Sequence, residues 1–155
     1  MDYEDVFNAL NKKKIRYLVV GGMAVNLHGV SRMTLDLDLL IALDKNNKSE
    51  FYSLMMEMGY KTKKPELARK LMKSEYESKK IKIVTFFRKE FELIDVFIQS
   101  PIDFEEAYSK KKLFKVEKVN IPTISYDMLI KMKQQSDREM DLRDIGYLKR
   151  IKEQK

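Results

Sequence analysis

A chain of 155 residues, 44% apolar and without cysteine, is long enough to bury one core and has no disulfide, thiolate metal site or cysteine nucleophile. Its single histidine excludes multi-histidine metal sites, and 31 basic against 24 acidic residues leave a net charge of +7, a field that attracts the phosphates of nucleotides or RNA. No run approaches the roughly eighteen uncharged apolar residues of a membrane span, and the start MDYEDVFNALNKKK lacks the pattern of a secretory signal, so a cytoplasmic protein with no membrane partner is expected.

Tyr3, Val6, Phe7 and Leu10 fall at helical spacing over residues 2–11. Residues 15–20 form a short apolar run ending in Gly21-Gly22, which predicts a buried strand and a tight turn. A short helix over 23–28 follows, closed by Gly29. In 35–42, Leu35, Leu37, Leu39 and Ile41 alternate with Asp36, Asp38 and Leu40, the period of a strand. Residues 49–58 carry one helical stripe of Phe51, Leu54, Met55 and Met58, and a basic loop then leads through Pro65 into a helix near 66–72. The lysine clusters at 12–14, 61–64 and 110–112 read first as solvated surface.

Residues 81–87 and 91–98 predict an antiparallel hairpin across Arg88-Lys89-Glu90, and 103–108 a short helix. Residues 113–121 predict one edge strand, its lysines discouraging pairing with another sheet, ended by Pro122. Helices over 126–134 and 138–152 finish the chain, the second with Leu142, Ile145, Leu148 and Ile151 on one face. With no repeat or long linker, the expectation is a single domain over 1–155 of the α/β (α+β) class. A small mixed sheet carries packed helices, and 123–155 form a C-terminal helical pair.

Asp36 and Asp38 lie two apart on one strand, so they point the same way with Cα atoms roughly 6.5 to 7 Å apart. Like charges so placed repel unless a cation sits between them, which marks the pair as candidate metal ligands. With oxygen ligands alone, magnesium, manganese or calcium is expected rather than zinc. By itself the pair could equally be the solvated face of a strand. Asp95, in FELIDVFIQ, shares a face with Leu93 and Phe97. It either pairs with a Lys or Arg or joins the other two from an adjacent strand. Three carboxylates so gathered could hold two magnesium ions about 3.5 to 4 Å apart for in-line phosphoryl displacement. Gly21-Gly22, between a strand and a helix, either offers backbone N–H donors to a phosphate or is a simple turn.

Together, VVGGMAVNLHGVSRMTLDLDLLI and the later ELIDVF resemble the nucleotidyltransferase superfamily typified by DNA polymerase beta. That pattern is Gly-Gly or Gly-Ser, a spacer, an Asp-x-Asp among apolar residues, and a third Asp on a later strand. The resemblance covers residues 15–100. The spacing of Gly22, Gly29, Arg32 and Thr34 is most similar to small stand-alone prokaryotic members related to the nucleotidyltransferases of toxin–antitoxin and abortive-infection systems. It implies a five-element mixed sheet, Gly21 and Gly22 holding the triphosphate of ATP or another NTP, Asp36 and Asp38 binding Mg2+ or Mn2+, and Asp95 as third ligand and base. Gly22 departs from the Gly-Ser form and removes a hydroxyl. Arg32 could neutralise triphosphate charge and Thr34 brace the loop.

The segment LIKMKQQSDREMDLRDIGYL resembles the closing helices of those relatives and places Lys131, Arg138 and Asp141 at their matching positions, with Lys131 as a nucleotide contact. Local ion pairs at a helix–helix turn are the plainer role for these three. His28 reads as a partly buried residue at a helix end. The expected activity is transfer of a nucleoside monophosphate from an NTP to an acceptor hydroxyl, on tRNA or another RNA, a protein or a small molecule. The rival is a non-catalytic nucleotidyltransferase-like antitoxin or regulatory subunit with a small helical partner protein, against which the intact carboxylates argue.

Overall fold

The computed structural model describes residues 2–136 and 138–154. Helix α1 (Glu4–Lys12) precedes β1 (Tyr17–Val20), whose four residues are all buried. Then come α2 (Gly21–Leu27), β2 (Asp36–Ile41), α3 (Lys45–Glu57) and α4 (Pro65–Lys73). The hairpin β3 (Ile83–Arg88) and β4 (Glu92–Phe97) leads to α5 (Phe104–Ser109), β5 (Lys112–Val116), β6 (Val119–Thr123), α6 (Tyr126–Gln134) and α7 (Glu139–Glu153). Polar caps fix several helix starts: the side chains of Asp44, Asp103 and Ser125 accept from the N–H groups of Asn47, Glu106 and Met128. Pro65 occupies the first turn of α4, where its missing N–H costs nothing.

The strands form one mixed sheet in the order β3-β4-β2-β1-β6-β5. β1 runs antiparallel to β2, β2 parallel to β4, and β1 parallel to β6. One face carries Tyr17, Leu37, Leu39, Ile94, Val96 and Phe86, all buried. Helices α1 and α3 cover it, with Phe7 stacked on Tyr17 at 6.4 Å and Phe51 edge-on to Phe86 at 5.8 Å. On the other face α2 packs on β1 and β2, over the buried Leu18, Val20 and Leu40, and beyond them stand the half-buried Asp36, Asp38 and Asp95.

Two side chains clip the strands that carry those aspartates. The buried Tyr3 hydroxyl donates to the Leu35 carbonyl at 2.7 Å and accepts from the Leu93 N–H at 3.1 Å, joining the entrances of β2 and β4. Asn47 accepts from the Arg16 N–H at 2.9 Å and donates to the Ala42 carbonyl at 2.9 Å, closing the opposite ends of β1 and β2.

Three expectations are corrected. Residues 113–121 are not one edge strand but the hairpin β5–β6, turning at Glu117-Lys118 with Glu117 at φ 57°. VEKV holds none of the Gly, Asn or Asp that usually marks such a turn. The sheet therefore has six strands rather than five; β6 lies inside it beside β1 and includes Pro122. On α7 the buried stripe is Asp141, Asp144, Ile145 and Leu148, and Leu142 is 59% exposed.

Candidate active site

The registers bring together the carboxylates that the sequence placed apart. Asp38 on β2 pairs directly with Asp95 on the parallel β4, and Asp36 stands one same-face step along β2, opposite Leu93. Adjacent strands lie about 4.8 Å apart, so Asp38 and Asp95 are close neighbours by backbone geometry alone. Thr85, opposite Asp95 on β3, donates its hydroxyl to Asp95 Oδ1 at 2.5 Å. Among the described residues no Lys or Arg forms an ion pair with Asp36, Asp38 or Asp95. The ion-pairing alternative for Asp95 thus finds no support among these contacts.

The crowding shows in the protonation of Asp38. Burial first, then the charges of Asp95 and Asp36, push its carboxyl up to about 7, although Arg138 and Lys133 pull the other way. Asp36 is also raised, by burial and by Asp95. A cation would relieve this repulsion, and hard carboxylate oxygens are the donors that magnesium and manganese take. The three residues fit such an ion in kind and in backbone position. Among the described residues no three acidic or histidine side chains converge into a ready-made cage.

The two glycines lie directly beside these groups. The helix begins at Gly21 itself, so the pair supplies first-turn N–H groups that have no partner within the helix. Gly21 has φ 66°, open to glycine at no steric cost, and a Cβ there would collide with the Asp38 carboxylate. A Cβ on Gly22 would collide with Arg32 Nη1 and stand 2.7 Å from Thr34 Oγ1. Glycine at both positions lets the chain pass against the aspartate strand and its leading loop.

Arg32 belongs to a buried ion network that the sequence showed only in part. Its Nε meets Asp144 Oδ1 at 3.0 Å. Lys133 Nζ bridges Asp144 at 2.9 Å and Asp141 at 3.0 Å, and Arg138 Nε reaches Asp141 at 2.9 Å. Burial pushes the Asp141 carboxyl up, but hydrogen bonds from Ser136, Lys133 and Arg138 outweigh it and hold it below its ordinary value. Lys131 is exposed and lies outside this network, whereas Lys133 is 6% exposed. Two residues on a helix differ by roughly 200°, so the two lysines face opposite ways. Lys133 and Asp144 were the residues missed. The signal was their spacing: Lys133 follows the buried Leu129 by one turn, and Asp144 follows Asp141 on the face of Leu148. His28 is half-buried at the end of α2, with Nε2 2.8 Å from the Ile124 carbonyl.

Several solved structures share this arrangement of strands and helices. The lincosamide antibiotic adenylyltransferase LnuA, bound to lincomycin, is 16% identical and superposes with a TM-score of 0.64 over 94% of this chain and 92% of its own. ANT(2'')-Ia in complex with adenylyl-2''-tobramycin is 12% identical, with a TM-score of 0.59 over 92% of this chain and 83% of its own. An antigenic nucleotidyltransferase-like protein from Paracoccidioides brasiliensis is 16% identical, with a TM-score of 0.59 over 93% and 72%. At such identities the likeness speaks for the nucleotidyltransferase fold alone. No curated protein sequence matches the chain. Residues 3–148, which span the glycine turn, all three aspartates and the Lys133 network, match a family described as aminoglycoside-2''-adenylyltransferase, and the chain belongs to that family.

Proposed function

We propose that the protein transfers AMP from ATP to a hydroxyl of a small-molecule acceptor, releasing pyrophosphate. The observation that carries this reading is the direct pairing of Asp38 with Asp95, Asp36 alongside and Gly21 packed against Asp38. The family match supports the small-molecule acceptor over the tRNA, protein and toxin-system partners that the sequence also admitted. The whole chain acts as one nucleotidyltransferase domain in this proposal, its last two helices bracing the loop of Arg32 and Thr34.

Gly21 and Gly22 would receive the triphosphate on backbone N–H groups, with Arg32 close enough to share its charge. Asp36, Asp38 and Asp95 would hold magnesium or manganese, which when bound supplies charge stabilisation to the phosphates. Asp95 takes the proton of the acceptor hydroxyl as its oxygen forms a bond to the α-phosphorus, and the bond to the pyrophosphate oxygen breaks. Lys131, exposed and turned away from the network, is not retained as a nucleotide contact in this proposal.

The test is incubation with each α-labelled NTP and magnesium, together with aminoglycosides, lincosamides, total tRNA or a cell lysate. Label from ATP should appear in a small molecule. Label confined to RNA or protein would overturn the choice of acceptor, and no transfer under any condition would favour the non-catalytic alternative.

A further inference from the structure

A cleft of about 630 Å³ opens beside the carboxylates, between α4 and the exposed face of β3 and β4. Its wall includes Leu67 and Leu71 of α4, and its floor Ile83, Phe87 and Leu93. Two lining residues join it to the aspartates: Thr85 donates to Asp95, and Leu93 pairs in register with Asp36. The strand order sets its position. Gly21 follows β1, the carboxylates stand on β2 and β4, and the cleft lies over β4 and β3. The glycine turn and the cleft therefore flank the aspartates from opposite sides, as the donor and acceptor of an in-line displacement must.

The charge of the residues that line this cleft is mostly positive, and the three aspartates lie beyond its inner end, where the cation of the proposed function would offset them. Lys63, Lys64 and Lys89 line it against a single carboxylate, Glu90. All four are exposed, and among the described residues none of the three lysines forms an ion pair. An aminoglycoside carries several ammonium groups and would meet repulsion from these three lysines, reinforced by the net charge of +7. Resting on the nucleotidyltransferase reading, we propose that this cleft binds the acceptor, and that the acceptor is a hydroxylated molecule with an apolar body and an anionic group. The apolar body covers Leu67, Ile83 and Phe87, the anion faces the lysines, and a hydroxyl is left toward Asp95. The family's polycationic substrate class is not the one this cleft selects.

A matched pair of fluorescent probes tests this by binding alone. 4-Methylumbelliferyl glucuronide and glucoside share an aromatic body and a sugar and differ by one carboxylate. The glucuronide should bind about five- to tenfold more tightly, the size expected of a few exposed charges acting together. Lys63→Glu, Lys64→Glu and Lys89→Glu combined should remove that preference, with circular dichroism checking the fold. Tobramycin should not displace the probe, and ATP with magnesium should leave it bound. The proposal is overturned if the glucuronide fails to bind, if tobramycin binds as well, if charge reversal changes nothing, or if ATP competes and so assigns the lysines to the nucleotide. Pyrophosphate release from ATP is measured separately. Probe binding together with no transfer to any acceptor of the labelled-NTP assay refutes the transferase reading and spares the cleft, whereas release driven by tobramycin does the reverse.

Discussion

The guanidinium of Arg32 lies against the α-carbon of Gly22, in the space a side chain at that position would fill. The same Arg32 is tied through Nε to Asp144 on α7, so the glycine turn and the C-terminal helix share one side chain. Gly22→Ala should therefore displace Arg32 from Asp144 and lower stability by about 1 to 3 kcal/mol, the usual cost of overpacking. In an Arg32→Ala background the same change should cost much less. Denaturant unfolding of the four proteins of this cycle gives the coupling, which neighbouring residues show at about 0.5 to 3 kcal/mol. Additive effects would mean that Arg32 moves aside freely.

Much of the candidate site was legible because it depends on local periodicity. The alternation in LDLDLLI put Asp36 and Asp38 on one face, and ELIDVF put Asp95 among residues of a buried strand. What could not be read was register. Nothing in the chain states that Asp38 rather than Asp36 stands opposite Asp95; the parallel pairing of β2 and β4, clipped by Tyr3, decides it. The β5–β6 hairpin was hidden by a turn with no glycine, held at Glu117 in a left-handed conformation. Lys131 was named only through the resemblance of LIKMKQQSDREMDLRDIGYL, and the burial of Lys133 was not legible because the run is of mixed polarity and only the packing of α7 selects which side is covered.

The two lysines give the sharpest contrast available by mutation. Lys133→Met removes the buried ammonium that bridges Asp141 and Asp144 and leaves them the exposed Arg138 and the half-buried Arg32 as partners, so the loss should exceed about 1 kcal/mol but fall below the roughly 3 to 5 kcal/mol of a buried charge left without any partner. Lys131→Met removes only an exposed charge and should stay within about 0.5 kcal/mol. Thermal unfolding of both variants checks this. Equal midpoints would show that the Lys133 network contributes nothing to the fold.

Asp95→Asn separates binding from chemistry. The amide is nearly isosteric and can still accept from Thr85, so the variant should fold and bind ATP. It cannot take the acceptor's proton, and transfer should slow by at least about a hundredfold, the lower end of general-base contributions. Calorimetry with ATP and magnesium, run beside a turnover assay, makes the comparison. Wild-type turnover would remove Asp95 from the reaction.

The raised carboxyl of Asp38 makes the metal-free protein sensitive to pH in a definite direction. Its folded pKa is about 7 and its ordinary value 3.8. Between those values the folded state holds a proton that the unfolded chain has lost, so stability falls as pH rises through this window and levels off above it. Asp38→Asn cannot ionise and escapes that loss. In chelator, the variant should unfold at nearly the same denaturant concentration as the wild type at about pH 4. At about pH 8 it should be more stable by on the order of 2 kcal/mol, a discounted figure for a shift of this size. Magnesium favours the ionised carboxylate and should restore the wild type while leaving the variant unchanged. Because binding requires that ionisation, magnesium affinity should weaken as pH drops below about 7. A stability difference that does not change between the two pH values would show that Asp38 is neither crowded nor desolvated as its neighbours Asp95 and Asp36 imply.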